Sequence, residues 1–504
     1  LEDKLRITKL LDDFGLHYVE GGWPGSNPKD FEYFKRLKAL RLKSTKVAAF
    51  GSTCRVGTQA NEDKNLRCLI DAKTPAVTIV GKSSKLHVQK ILRSTLEENC
   101  RIIYDSVKFL KEHVEEVILD AEHFFDGYAD DPAFALACIN AAHDAGADWL
   151  VLCDTNGGSL PETVSATVAE VVAKITKNVG VHTHNDGELA VANALAAVRA
   201  GARQIQGTIN GYGERCGNAN LVSIIPNLQL KMDVACLSNE QLTQLTDLSR
   251  TVSEIANLQP DQFAPYVGAF AFAHKGGLHV AAVEKIPSSY EHIDPSSIGN
   301  TRQVVVSELS GKGNIRMLAN QLGLSLSNHT GLVLEKIKEL ESRGFQFENA
   351  EGTVELIIRR ALPEYQAPFE LIDMKTTTWH REDADTSAEA VVKIRVGDTI
   401  FHTAAEGNGP VNAADEAIRK ALLPAFPHLA QVRLVDYKVR ILNPDDATAA
   451  ITRVTIEASD GVDTWYTVGC SSNIIDASYQ ALTDSCELYL LRKAETKSRA
   501  VIVA

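Results

Sequence analysis

Seven short apolar runs rich in Val, Ile and Ala recur along the first half of the chain, each followed by a longer amphipathic stretch. No other feature restricts the fold as much. The runs are Tyr18–Glu20, Val47–Phe50, Ala76–Val80, Glu116–Leu119, Trp149–Leu152, Val179–Thr183 and Gln204–Thr208. They lie about 25 to 40 residues apart, enough for one strand and one helix, which is the pattern of βα units around a parallel sheet. The intervening segments carry helix signals. Phe31, Phe34 and Leu37 follow Pro28, Val88 to Leu110 is one long periodic run, Ala133 to Ala145 is another, and Pro161 suits a first helical turn. An open dinucleotide-binding sheet would place Gly-x-Gly-x-x-Gly between a strand and a helix, and that spacing does not occur. A closed barrel accounts better for the opening, where Leu1, Leu5, Leu10, Leu11 and Phe14 trace one helix face before any strand. The expected fold class is α/β: a (β/α)8 TIM barrel lacking its first strand in this chain, that strand being expected upstream of Leu1.

Composition narrows the function. A chain of 504 residues has room for about three domains. Its net charge of −13 disfavours a nucleic-acid or membrane-surface partner, and no apolar run approaches the roughly 20 residues that span a bilayer. The nine cysteines are odd in number, dispersed and without a Cys-x-x-Cys pair. They fit neither a disulfide framework nor a zinc ribbon, and point to a reducing, cytoplasmic setting.

In (β/α)8 enzymes the chemistry sits on loops after the C-terminal strand ends. Here those positions read Glu20-Gly-Gly-Trp23, Gly51-Ser-Thr53, Gly81-Lys82, Asp120-Ala-Glu-His123, Cys153-Asp-Thr-Asn156, His182-Thr-His-Asn-Asp186 and Thr208-Ile-Asn-Gly211, so polar groups collect on one rim. Residues i and i+2 of a strand share a side, so His182 and His184 can reach one metal ion together. A surface loop with two histidines is the plainer alternative. In Asn210-Gly-Tyr-Gly-Glu-Arg-Cys-Gly-Asn-Ala-Asn220, glycines 211, 213 and 217 allow close backbone approach, and Asn218 offers an oxygen to a metal. Glu20, Asp120, Glu122 and Asp154 form an acidic set suited to metal, arginine or proton work. Asp154, ahead of Thr155, equally suits a helix cap. Beyond the barrel, Phe272-Ala-His-Lys-Gly-Gly-Leu-His279 and Tyr290-Glu-His-Ile-Asp-Pro295 are loops able to carry mobile acid or base groups.

The strings His182-Thr-His-Asn-Asp186, Gly211-Tyr-Gly-Glu-Arg-Cys-Gly-Asn-Ala219 and His274-Lys-Gly-Gly-Leu-His279 resemble signatures of the isopropylmalate, homocitrate and citramalate synthase family. Glu20 to Asp30 and Asp120 to Tyr128 resemble its long-form citramalate branch, and the likeness runs over essentially the whole chain. It implies a metal-dependent Claisen condensation of acetyl-CoA with a 2-oxo acid, pyruvate for that branch, on a divalent ion (zinc, manganese or magnesium). His182, His184 and Asn218 are the implied metal residues, and Glu122, His279 and Tyr290 the catalytic ones. Glu20, Asp154, Thr155, Gly211, Gly213, Glu214 and Arg215 are the expected substrate-binding residues. The family's remaining metal ligand, an aspartate in an Arg-Asp-Gly loop with its arginine, does not occur here. Weak metal binding and low turnover are therefore expected of residues 1–504 alone.

The expected domains are 1–236 for the barrel, 237–362 for linker subdomains and 363–504 for a C-terminal α+β domain. Within the last, Val411-Asn-Ala-Ala-Asp-Glu-Ala-Ile418 matches Ile475-Asp-Ala-Ser-Tyr-Gln-Ala-Leu482 at an offset of 64 residues. Each copy opens a helix after a small-residue turn. A packing module is one account of this duplication. The resemblance implies a dimerising allosteric domain instead, with isoleucine as effector at Gly409, Pro410, Ser471, Ser472 and Asn473. A 2-isopropylmalate synthase, a non-catalytic amino-acid sensor and a lyase on the same barrel stand as alternatives at this point.

Overall fold

Alternation within each apolar run decides which way its side chains face, and the computed structural model shows the result for residues 1–304, 310–326, 329–348, 350–381 and 384–503. The chain divides into two compact units, Leu1–Phe272 with Ile293–Thr301, and Ala273–His292 with Arg302–Ala504.

In the first unit, β1 (Tyr18–Glu20), β2 (Lys46–Ser52), β3 (Ala76–Lys82), β4 (Glu116–Glu122), β5 (Trp149–Asp154), β6 (Asn178–Thr183) and β7 (Gln204–Gln206) form one sheet in sequence order. Every neighbouring pair is parallel. One face carries Val47, Ala49, Val77, Ile79, Val117, Leu119, Leu150, Leu152, Val179 and Val181, all buried in the core shared with the helices. The opposite face carries a small apolar floor of Ile118, Val151 and Cys153, flanked by Tyr18 and Trp149, with polar residues above it. Side chains three strands apart meet on this face. Tyr18 Oη on β1 donates to Glu116 Oε2 on β4 at 2.7 Å, and Gln206 Nε2 on β7 donates to Asp120 Oδ1 on β4 at 2.8 Å. Strands so separated would lie about 14 Å apart in a flat sheet. The sheet is therefore strongly curled, with its polar face concave.

Three expectations need adjustment. β3 and β5 run two residues further than their apolar runs and β4 three, because Lys82, Glu122 and Asp154 continue the parallel register. β7 stops at Gln206, and the Thr208 N–H bonds the Ala219 carbonyl at 3.0 Å instead of continuing the sheet. The run Val88 to Leu110 is not one helix. A π-turn at His87–Ile91 ends before Arg93, which takes a left-handed φ of 54°. A new helix, Leu96–Lys111, then starts on Thr95, whose side chain accepts from the Glu98 N–H.

In the second unit, β8 (Ala273–His274) and β9 (Gln303–Val304) pair in parallel. Helices Lys312–Gln321, Thr330–Ser342 and Glu351–Arg360 follow. β10 (Glu370–Arg381), β11 (Ala384–Val396) and β12 (Thr399–Gly407) make an antiparallel sheet before helix Pro410–Leu422. β13 (Arg433–Ile441), β14 (Thr452–Ser459) and β15 (Thr464–Ser471) repeat that plan before helix Ile474–Val503. The 64-residue repeat reaches single hydrogen bonds. Thr403 Oγ1 donates to the Ala417 carbonyl at 2.8 Å, and Thr467 Oγ1 to the Ala481 carbonyl at 2.8 Å. Each helix lies close on its last strand. A side chain at Gly407 would meet the Ala413 nitrogen at 2.5 Å, and one at Gly469 the Ala477 carbonyl at 1.9 Å.

Candidate active site

Because Val179 and Val181 point into the helix-packed core, His182 and His184 point the other way, onto the concave face at its C-terminal rim. Their Nε2 atoms lie 3.3 Å apart. Two nitrogens each about 2.1 Å from one ion, at tetrahedral or octahedral angles, would be roughly 3.0–3.4 Å apart. The spacing thus fits a shared divalent cation. His182 Nδ1 bonds Gln206 Oε1 at 2.8 Å. His184 Nδ1 is buried with no hydrogen-bond partner. Burial, then the neighbouring His182 and Arg215, lower the His184 pKa and favour the neutral, ligating form. Asn218 forms an antiparallel bridge with His184. Its side-chain N–H donates to the Tyr212 carbonyl at 3.1 Å, leaving its oxygen free to serve as an acceptor. Among the described residues, no cluster of three or more His, Cys, Asp or Glu converges on one point. The donor set present is two imidazoles and an amide.

Below the pair lie Glu20 and Asp120. Desolvation, then the charge of Asp120, raises the Glu20 carboxyl well above the usual range; desolvation raises that of Asp120 too, with Glu122 adding to it and the Gln206 hydrogen bond opposing it. Glu20 keeps contact with solvent, while Asp120 is buried. Glu122 stands beside Lys82 in register and forms an ion pair with it.

The loops complete the rim. Asn185 N–H donates to the Gly217 carbonyl at 3.0 Å and Ala219 N–H to the Thr183 carbonyl at 3.0 Å, folding the 211–220 loop back onto the histidine strand. That fold depends on glycine. Gly217 has φ +93°, and a side chain there would meet the Gly211 carbonyl at 2.1 Å. Gly217→Ala is expected to cost about 1–3 kcal/mol in urea unfolding of the first unit. Unchanged stability would show that the loop relaxes freely. Arg215 clamps Asp186 at 2.8 and 2.9 Å and donates to the Thr155 carbonyl at 2.7 Å. Thr155 Oγ1 accepts the His123 N–H at 2.8 Å. Glu214 is exposed beside Arg215. Asp154 is buried, and its carboxylate accepts from the Ser159 hydroxyl at 2.9 Å. It is thus engaged by Ser159 within its own loop and does not cap the following helix, Pro161–Lys174, whose N-cap is Leu160.

In the second unit, the His279 and Tyr290 rings stack with centroids 4.2 Å apart. Buried Glu291 anchors the tyrosine's neighbourhood. It accepts from Arg302 at 2.5 and 2.6 Å and bonds His274 Nε2 at 3.0 Å. At the helix starts, Gly409 precedes Pro410, the first residue of its helix. Ser471 Oγ accepts the Asn473 N–H at 3.1 Å, and Asn473 Oδ1 accepts the Ile475 N–H at 2.9 Å. Ser472 lies exposed between them.

Three features escaped sequence reasoning: Gln206 beside His182, Lys82 beside Glu122, and the His87–His123 stack at 3.7 Å. The first two were detectable as polar residues at register positions opposite candidate ones. The third depends on the π-turn, which sequence periodicity does not disclose.

The fold and the rim define a condensing enzyme of the HMGL-like class. Residues 1–252 match the HMGL-like family, 266–344 the homocitrate synthase post-HMGL domain and 348–490 the LeuA allosteric (dimerisation) domain. Enzymes of this class generally depend on a divalent metal. The chain is 51% identical to an (R)-citramalate synthase of Geobacter sulfurreducens over 98% of this chain and 94% of that protein. It is 48% identical to one of Aquifex aeolicus (98% and 95%) and 46% to one of Synechocystis (99% and 95%). The chain belongs to the (R)-citramalate synthase family, and its C-terminal domain is of the dimerising, allosteric LeuA type. No helix among the described residues is long and apolar enough to cross a membrane.

Proposed function

We propose that the chain condenses acetyl-CoA with pyruvate and hydrolyses the thioester, releasing (R)-citramalate and CoA in the cytoplasm as a step toward isoleucine. The observation that carries this is the convergence of His182 and His184 Nε2 on the concave rim, 3.3 Å apart. The two imidazoles, with Asn218 opposite His184, would hold zinc, manganese or magnesium. When bound, such an ion supplies a Lewis acid that makes the oxo acid's carbonyl carbon electrophilic. Gly211 and Gly213 leave backbone open for the substrate carboxylate, and Arg215, held by Asp186, Glu214 and Thr155 border that space. Glu20 and Asp154 bound it from the floor and the adjoining strand end.

His279 and Tyr290 form the proton-moving pair. One takes a proton from the acetyl methyl group as the new carbon–carbon bond forms, and the other delivers a proton to the former keto oxygen. Glu122, oriented by Lys82, positions the acetyl thioester. Water then breaks the thioester, and the CoA thiol leaves with a proton. Isoleucine is the proposed effector of a homodimer, at Gly409–Pro410 and Ser471–Asn473, where helix starts suit a carboxylate.

Release of CoA, followed with a thiol reagent, tests the assignment. Pyruvate is expected to exceed 2-oxoisovalerate in kcat/KM by roughly 10- to 200-fold, the discrimination a pocket draws from one or two methyl groups. Preference for 2-oxoisovalerate would make the chain an isopropylmalate synthase instead.

A further inference from the structure

We infer that Gln206 sets the protonation form in which His182 meets a cation, a positioning role that rests on the metal reading of the His182–His184 pair. Gln206 lies on β7 directly opposite His182 on β6, on the concave face, and its amide is held at both ends. Its Nε2 donates to Asp120 Oδ1 at 2.8 Å. Its Oε1 lies 2.8 Å from His182 Nδ1.

An amide differs from a carboxylate or hydroxyl in that its two ends are not interchangeable. Asp120 accepts from Gln206 Nε2, and that contact turns the amide oxygen toward His182. An oxygen facing Nδ1 can only accept, so the imidazole proton sits on Nδ1. The lone pair is then on Nε2, which faces His184 Nε2 at 3.3 Å. In the reverse tautomer, an N–H would point at the space between the imidazoles, and His182 could not ligate there. Outer partners that donate to or accept from a ligating histidine in this way commonly govern metal affinity by about 10- to 100-fold. The relay spans β6, β7 and β4, so its geometry also requires the curl of the sheet.

The test uses the full chain labelled with nitrogen-15 in histidine. In the metal-free protein, long-range proton–nitrogen spectra are expected to show His182 protonated at Nδ1. This measurement needs no variant. Gln206→Met fills the same space without an acceptor, and should mix the tautomers and weaken Mn2+ binding by about 10- to 100-fold. Gln206→Glu restores an acceptor for Nδ1 and should recover most of that affinity. A wild-type His182 protonated at Nε2, or Gln206→Met binding Mn2+ as the wild type does, overturns the role of Gln206. Failure of the wild type to show even weak Mn2+ binding overturns the metal reading, and this role with it.

Discussion

His182→Ala is expected to lower kcat/KM with pyruvate by roughly a thousandfold or more, about 4 kcal/mol of transition-state stabilisation. The thermal midpoint should shift little. The imidazole does not pack in the helix-covered core. It stands on the concave face, half-buried, with Gln206 on one side and His184 on the other. Removing it leaves the Gln206 amide oxygen to water and His184 as a single imidazole, which cannot chelate. Loss should therefore appear in kcat and in Mn2+ affinity together, measured by steady-state CoA release and by calorimetric titration. His182→Ala that binds Mn2+ and turns over like the wild type would remove the catalytic map built on this pair.

The second large effect concerns stability. Asp12, in the helix Glu2–Phe14, has a side chain with no solvent exposure. It accepts the backbone N–H groups of Lys43, Ser44 and Thr45 at 2.8 to 3.1 Å and the Lys9 ammonium at 3.0 Å. It thereby ties the opening helix to the entry of β2. Burial by itself would raise the Asp12 pKa. The three backbone donors and Lys9 outweigh it and hold the carboxyl far below its usual range. Asp12→Ala is expected to cost about 3 kcal/mol, since three backbone N–H groups lose a charged acceptor at once. A group whose pKa is depressed by folding stabilises the native state above its unfolded pKa and loses that contribution as the pH falls through its folded one. The wild-type advantage over Asp12→Ala should therefore be complete at pH 6 and shrink below about pH 4. Urea unfolding of both proteins across that range measures it. A pH-independent difference would show that the helix is held by packing alone.

Much of the first unit was legible locally. All seven expected strands form, because a parallel strand buried on both faces has to be apolar and short, and βα spacing leaves few other arrangements. The side on which His182 and His184 lie also followed from alternation, with Val179 and Val181 marking the opposite face. The duplicated C-terminal plan was visible as a 64-residue repeat, and the equivalent threonines Thr403 and Thr467 bond equivalent helix carbonyls. Asp154 shows the limit of local pattern. At a strand end it matched both a substrate ligand and a helix cap, and only its bond to Ser159 shows where its carboxylate is engaged.

From sequence alone came the order of strands and helices, the polar rim and the histidine pair, because periodicity and chain spacing are properties of neighbouring residues. The meeting of Gln206 with Asp120, the closeness of the Glu20 and Asp120 carboxyls, and the stacking of His87 on His123 were decided only in three dimensions. The reason is curvature. Residues on β1, β4 and β7 are separated by scores of positions in the chain, and only the curl of the sheet brings their side chains within hydrogen-bonding reach.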